Sequence, residues 1–356
     1  MPKIALFYDW LNQDGGAEKV LLSLIKLYPQ APIFTLVHQP QKTTWLPKNT
    51  KIITSFINQL PFSQNNPLFY TPFYDLALEQ FDFSQYDIII STTSVVGHCL
   101  LTLPSTLFVC YYHNLNRYLY STPKRYSFLR PLLNIYKKFD YIYSRRPDYS
   151  LCNSQTVHQR LKKQFNLDIP IINPGVNTEF FKPINNPDNN FFLIVSRLVP
   201  HKNFDIVIKA FNSLPYRLIV IGTGREFSHL QSLAKNNPRI KFLGYISDRQ
   251  KLKYYQNCQA LICPQLEDFG ITPIEAQACG KPVIALGHGG NTETIVNHQT
   301  GIFFDKPTVT HLKKAIQEFL SIKFNPTKCR QNSLKFSESS FMLNFKKTID
   351  HLWLTR

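Results

Sequence analysis

No run in this 356-residue sequence approaches the ~18 consecutive apolar residues that a membrane-crossing helix needs. No C-x-x-C pair occurs, and the seven cysteines show no metal spacing with the histidines. That odd count argues against a disulfide framework and reads as small core thiols in a reducing compartment. There is also no D-x-D, so no aspartate pair stands ready to hold a metal-bound diphosphate. Low-complexity tracts and short repeats are absent. Acids are scarce: 23 Asp and Glu face 40 Lys and Arg, a formal charge of +17 shared by both halves of the chain. Such a balance asks for an anionic partner without naming it. The opening MPKIALFYDW meets Asp9 too early for a signal peptide and reads as a first buried strand. A cytoplasmic location is the expectation.

What is present is a repeated alternation of short apolar strands and amphipathic helices. Hydrophobic residues make up 44% of the chain, enough for the cores of two domains. In the first half, 3–9, 32–37, 86–93, 106–113 and 170–175 read as strands, with helices over 17–28 and from 155 to about 165. The polar NNPDNN at 185–190 has no periodicity and reads as a linker. The pattern then restarts, with strands at 191–197, 216–222, 240–245, 260–265, 282–286 and 301–304 and a helix over 273–279. Strands alternating with helices imply parallel sheets whose ligands lie beyond the strands' carboxyl ends. The fold class is therefore α/β, as two doubly wound, Rossmann-like domains facing a cleft.

The chemistry concentrates in EDFGITPIEAQACGKPVIA at 267–285. Thr272, Pro273 and Glu275 fit a helix start, with Glu275 closing a capping box. Alternatively, Phe269, Gly270 and Ile271 bring backbone amides to a helix N-terminus, a ready anion site. Glu267 and Glu275, eight apart, would then accept hydrogen bonds from hydroxyls. Neighbouring hydroxyls beside a phosphate describe a sugar nucleotide. In VSRLVPHKN (195–203), Arg197 and Lys202 form a cationic pair after a strand, suited to a diphosphate or to a solvated face. Gly222 and Gly224 follow another strand as a phosphate-approach loop, although Phe227 replaces the third glycine of G-x-G-x-x-G. That broken fingerprint also argues against a Rossmann oxidoreductase. Gly15 and Gly16 make a turn between strand and helix, and His113 stands at a strand end as a structural or a cleft-facing residue.

Together these motifs resemble the retaining glycosyltransferases of family 4, with the two-domain GT-B fold. The resemblance runs over nearly the whole chain, weakest over 40–85 and strongest in VSRLVPHKNFDIVIKAF, LIVIGTGRE, IKFLGYIS and the stretch from Glu267 to Ile295. It implies an acceptor-binding domain over 1–184, a donor-binding domain over 185–340 and a helix over 341–356 that returns to the first domain. Arg197 and Lys202 would hold the donor diphosphate, and Glu267 the sugar hydroxyls. The amides of Phe269, Gly270 and Ile271 would lie close to sugar and phosphate, and Glu275 would take the ribose hydroxyls. Gly16, beside Gly15, would offer its amide to the diphosphate, and His113 would contact the donor sugar. Gly222, Gly224 and Tyr245 would join the donor contacts. YYHNLNRYLY looks like the H-T-P-x-R-Y segment of bacterial mannosyltransferases, keeping Arg117 and Tyr118 but with Asn114-Leu115 in place of Thr-Pro.

The implied activity is retaining, metal-independent transfer of a hexose, mannose from GDP-mannose, with no cofactor beyond the nucleotide-sugar substrate. The implied acceptor is an oligosaccharide or a lipid-linked saccharide of surface polysaccharide or lipopolysaccharide biosynthesis. A UDP-sugar donor and a non-catalytic nucleotide-sugar binder are the alternatives. Between Arg117 and Arg146, aromatic residues interleave with cations, and Asp140 is the lone acid. That segment is either a peripheral contact with an anionic membrane or a solvated helix. No nucleic-acid module accompanies the basic residues.

Overall fold

The computed structural model describes residues 2–120 and 130–356. The chain divides into two compact units, one of Met1–Asn173 with Met342–Arg356 and one of Pro174–Phe341. Among the described residues no helix is long and apolar enough to cross a membrane.

The first unit is built on β1 (Ile4–Leu11), β2 (Ile33–His38), β3 (Ile52–Thr54), β4 (Ile88–Thr93), β5 (Leu107–Tyr112) and β6 (Tyr149–Cys152). They form one parallel sheet in the order β3-β2-β1-β4-β5-β6. Every residue of β4 and β5 is buried, as expected of central parallel strands covered on both faces. Phe7, Phe34, Phe81 and Phe83 cluster in the core beneath it. The flanking helices include Gly16–Leu27 and Gln155–Phe165. Ser154 caps the latter by accepting from the Val157 amide at 3.1 Å. The stretch 170–175 is not a strand. It makes a single bridge, Cys152 to Ile171, because Pro170 and Pro174 have no amide to donate to a ladder.

The second unit carries β7 (Phe191–Val195), β8 (Arg217–Ile221), β9 (Ile240–Gly244), β10 (Ala260–Cys263), β11 (Val283–Leu286) and β12 (Gly301–Phe304). Its order, β12-β11-β10-β7-β8-β9, is that of the first sheet read from the other edge. Both sheets therefore reverse direction once, between β1 and β4 and between β7 and β10, and ligands of doubly wound folds bind beyond such points. The polar stretch 185–190 lies within this unit, where the Asn189 amide donates to the Asn257 carbonyl at 3.1 Å. From Met342 on, the Glu338–Leu354 helix belongs to the first unit. There Phe345 is fully buried with its ring 5.9 Å from that of Tyr111.

In the first unit, Asp9, two residues before the end of β1, is buried. Its carboxylate accepts from Thr93 Oγ1 at 2.8 Å and from the amides of Ser94, Val95, Val96 and Gly97 at 2.7–3.0 Å. Burial pushes its carboxyl up, against the downward pull of these donors. Nearby, His98 Nε2 and Asp140 Oδ1 of the Arg130–Tyr143 helix lie 2.9 Å apart, both groups buried. Burial disfavours the imidazolium, but the neighbouring Cys99 and the Asp140 carboxylate outweigh it and raise His98 well above the usual histidine range. A histidine raised on folding adds stability that is complete below its unfolded pKa of ~6.5 and lost as pH climbs through the folded value. Denaturant titrations of the wild type are thus expected to show stability falling on the alkaline side of pH 6.5, and His98→Gln to flatten that fall. Equal slopes in both proteins would exclude the pair as its cause.

Candidate active site

The segments after β7 and β10, at the reversal point of the second sheet, hold half of the expected site residues. After β7 the chain leaves the sheet at Arg197, which is exposed. It then makes a short turn, Pro200–Lys202, and enters the Phe204–Phe211 helix through Asn203. This turn places Lys202 Nζ 2.8 Å from Glu267 Oε1. The two side chains are only 12% and 17% exposed, so solvent screens the pair weakly. Gln265 Nε2 donates to the same oxygen at 2.6 Å. Glu267 Oε2 accepts no hydrogen bond among the described residues.

The loop carrying Glu267 is braced from behind. The Gly290 amide donates to the Glu267 carbonyl at 2.8 Å, and Asn291 Nδ2 donates to the Gln265 and Leu286 carbonyls, both at 3.0 Å. A side-chain carbon on Gly290 would lie 2.3 Å from the Phe269 Cα, so only glycine lets the two loops touch. Gly222 and Gly224 have a comparable duty. Their missing side chains would meet the carbonyls of Ser196 at 1.8 Å and Leu198 at 2.2 Å. The β8 loop thus props the Arg197–Lys202 segment, with the Leu198 amide donating to the Thr223 carbonyl at 2.8 Å.

The helix that follows begins two residues earlier than its sequence suggests. It spans Ile271–Ala278 with Gly270, at φ +105°, as its N-cap and no side chain capping it. Thr272 is therefore not the cap, and the expected capping box does not form. Glu275 lies inside the helix and buried, and its Oε2 accepts from the Tyr255 hydroxyl at 2.7 Å. Lys251 Nζ stands 3.9 Å from Oε1, beyond hydrogen-bond reach, and pairs with Asp248 at 2.8 Å. Burial and the Glu275 carboxylate together raise the Tyr255 phenol well above its ordinary range, which keeps it a donor. Tyr245, just past β9, is 73% exposed.

The remaining expected residues belong to the first unit. Gly15 precedes the Gly16–Leu27 helix, whose Glu18 is buried and accepts from the Tyr8 hydroxyl at 2.6 Å and Gln13 Nε2 at 2.8 Å. A side chain on Gly15 would press on Glu18 Oε2 at 2.9 Å. His113 follows β5 and is buried, its ring edge-on to those of Tyr8 and Tyr111. Asn114 is buried as well and accepts from Arg160 Nη1 at 2.9 Å. Arg117 is exposed at the start of the short Arg117–Tyr120 helix.

Three roles are absent from the sequence reading: Gln265, Tyr255 and the Gly289-Gly290 brace, in which Gly289 bridges to Glu267 and a side-chain carbon on it would lie 2.6 Å from the Glu267 carbonyl oxygen. The adjacent glycines were a visible signal. Nothing local marks Gln265 or Tyr255, which matter only through their spatial contact with the two acids. The second unit accordingly offers a cation, a helix N-terminus and two carboxylates with, among the described residues, one oxygen each unengaged by hydrogen bonds. That set is suited to an anion flanked by hydroxyls.

A model described as Glycosyltransferase Family 4 matches residues 14–180, and one described as Glycosyl transferases group 1 matches 176–336. An uncharacterised glycosyltransferase of Methanocaldococcus jannaschii is 29% identical over 212 residues, 58% of this chain and 60% of that protein. The alpha-1,3/1,6-mannosyltransferase ALG2 of Dictyostelium discoideum is 30% identical over 211 residues, 51% of this chain and 50% of that protein. The chain thus spans only half to three-fifths of the length of these curated relatives. The Anabaena protein HepE, solved in complex with UDP and glucose, superposes with a TM-score of 0.77 at 20% identity, over 98% of this chain and all of that one. With two such sheets the chain has the GT-B fold, and each of its halves is matched by a glycosyltransferase family model.

Proposed function

We propose that the protein is a retaining, metal-independent hexosyltransferase that moves mannose from GDP-mannose onto an oligosaccharide or lipid-linked acceptor in surface polysaccharide or lipopolysaccharide biosynthesis. The observation that carries this reading is the Lys202–Glu267 pair beside the N-terminus of the Ile271–Ala278 helix. Breaking the sugar–phosphate bond leaves negative charge on the departing nucleotide and positive charge on the sugar carbon. Lys202, Arg197 and the amides of Phe269, Gly270 and Ile271 stabilise the first of these from fixed positions. Glu267 offers its unengaged oxygen to sugar hydroxyls and Glu275 takes the ribose, while Tyr245 borders the base. In the first unit, His113, Arg117 and the Gly15-Gly16 turn are the substrate-facing residues, at the carboxyl ends of β5 and β1. The acceptor hydroxyl attacks from the face the nucleotide leaves and gives its proton to the departing phosphate oxygen, so the acceptor–sugar bond replaces the sugar–phosphate bond with configuration retained. The likeness to a mannosyltransferase supports the donor sugar, and the absence of D-x-D supports independence from metal.

A thermal-shift screen of GDP-, UDP-, ADP- and dTDP-sugars is expected to single out GDP-mannose, since a ligand of the folded form alone raises the melting temperature. Release of GDP in the presence of an acceptor pool should proceed unchanged in EDTA. A shift with UDP-sugars alone would reassign the donor, and binding without turnover on any acceptor would make the protein a sensor. Activity lost in EDTA and restored by magnesium or manganese would overturn the metal-free reading.

Membrane contact is part of the same reading. The Arg130–Tyr143 helix exposes Leu132, Ile135, Phe139 and Ile142. Lys137 and Lys138 lie on the same helix, and the cations at 124 and 125 fall outside the described residues. Arg145 is tied down by its bond to the Phe165 carbonyl at 2.6 Å, and Arg146 lies over the Tyr143 ring. Co-sedimentation is expected with vesicles rich in phosphatidylglycerol but not with pure phosphatidylcholine, and the Lys137→Glu, Lys138→Glu double variant should weaken it. Equal binding to both lipids would leave no role for these charges.

A further inference from the structure

Among the described residues, each acid of the pair accepts hydrogen bonds through one oxygen only. Glu267 Oε1 is fixed by Lys202 and Gln265, and Glu275 Oε2 by the Tyr255 hydroxyl. Tyr255 has no exposed surface. It comes from the Asp248–Asn257 helix, and its ring stands edge-on to Phe181 with centroids 5.7 Å apart. A tyrosine clamped in that way has little rotational freedom, so its hydroxyl points at one place. Glu275 is itself buried, with Lys251 3.9 Å from the other oxygen. A carboxylate in such a setting could turn toward either neighbour, and the short bond to Tyr255 decides which oxygen faces which way.

We propose that Tyr255 is a positioning residue for donor recognition: by holding Glu275 Oε2, it turns Oε1 toward the vicinal hydroxyls of the nucleotide ribose. The proposal rests on the reading of Glu275 as the ribose-binding acid. A hydroxyl contact to a charged acceptor is geometrically demanding, so a carboxylate free to rotate would lose selectivity for ribose before it lost affinity for the diphosphate. Tyr255 thus sets a preference for ribonucleotide over deoxyribonucleotide donors without touching either.

The test is calorimetric binding of GDP and of its 2′-deoxy and 3′-deoxy counterparts to the full chain, or of the corresponding UDP series if the donor screen selects uridine. Wild type is expected to favour the ribonucleotide over the weaker deoxy analogue by about tenfold or more. Tyr255→Phe should shrink that ratio to within about threefold, leaving affinity for the deoxy forms as in wild type. It should raise KM for the donor sugar with kcat largely kept. Equal weakening of ribo and deoxy ligands, or an undiminished ratio, would overturn the proposal while leaving the ribose-binding role of Glu275 standing. No preference in wild type would remove that role and the proposal together. Should Tyr255→Phe fail to fold, Lys251→Met takes away the other neighbour of the carboxylate. It is expected to keep the wild-type ratio, and a collapse of the ratio there would transfer the orienting role to Lys251 and overturn the proposal.

Discussion

Replacing Lys202 with alanine is expected to lower kcat/KM for the donor by about 10³-fold, the scale on which enzymes lose a single preorganised partner of developing charge. Two losses combine. The departing diphosphate loses a cation held in advance, and Glu267 keeps its carboxylate in a site that is only 17% exposed, with Gln265 as its remaining donor. A deprived carboxylate of this kind is costly and repels the incoming phosphates. Lys202→Arg should recover part of the rate but not all, because a planar guanidinium does not fit the space of an ammonium. Steady-state release of nucleoside diphosphate measures both variants. An alanine variant within a few-fold of wild type would end the claim that this amine stabilises the leaving group.

Gly222→Ala is expected to be the most damaging single methyl that can be added to the second unit, lowering unfolding free energy by about 3 kcal/mol or more. The residue has φ +136°, where side-chain-bearing residues are strained, and the added carbon would overlap the Ser196 carbonyl oxygen at 1.8 Å. The contact is with backbone and not with a flexible side chain, so relief requires moving the backbone of the loop that carries Lys202. Gly244→Ala supplies the control: φ is +68° there, but nothing lies within 4 Å of the new carbon, so only the conformational cost of about 1 kcal/mol applies. Chemical denaturation of the two variants side by side separates overlap from strain. Similar losses in both would show that the loop moves aside easily.

The contrast between what the residue string conveys and what it conceals is physical. Buried parallel strands are continuous apolar runs, so β1, β4, β5, β7, β8, β10 and β11 stand out from composition alone. The three-residue β3 does not, because Ile52–Thr54 is too short and only half-buried to show a period. The 170–175 stretch misleads in the opposite sense: apolar residues are present, but flanking prolines remove the donors that a ladder needs. At the Ile271–Ala278 helix, Thr272-Pro273 carries strong start signals, yet the left-handed Gly270 begins the helix sooner. Of the site, the spaced acids and the cation after β7 were legible as local phrases. Which cation meets which acid was not, since Lys202 and Glu267 are 65 residues apart. Tyr255 was the least visible, one of two adjacent tyrosines on a largely polar helix, whose value comes from a single contact 20 residues away.

The passage of the Glu338–Leu354 helix from one compact unit to the other bears on the order of assembly during synthesis. The sheet of residues 4–152 emerges from the ribosome first, yet its complement of buried rings lacks Phe345 until almost two hundred further residues have followed. In the interval the later-made portion can reach its native pairing by itself, so the earlier-made portion finishes last. A chain truncated after residue 341 and released should therefore carry a protease-resistant 174–341 core alongside an N-terminal part still open to digestion.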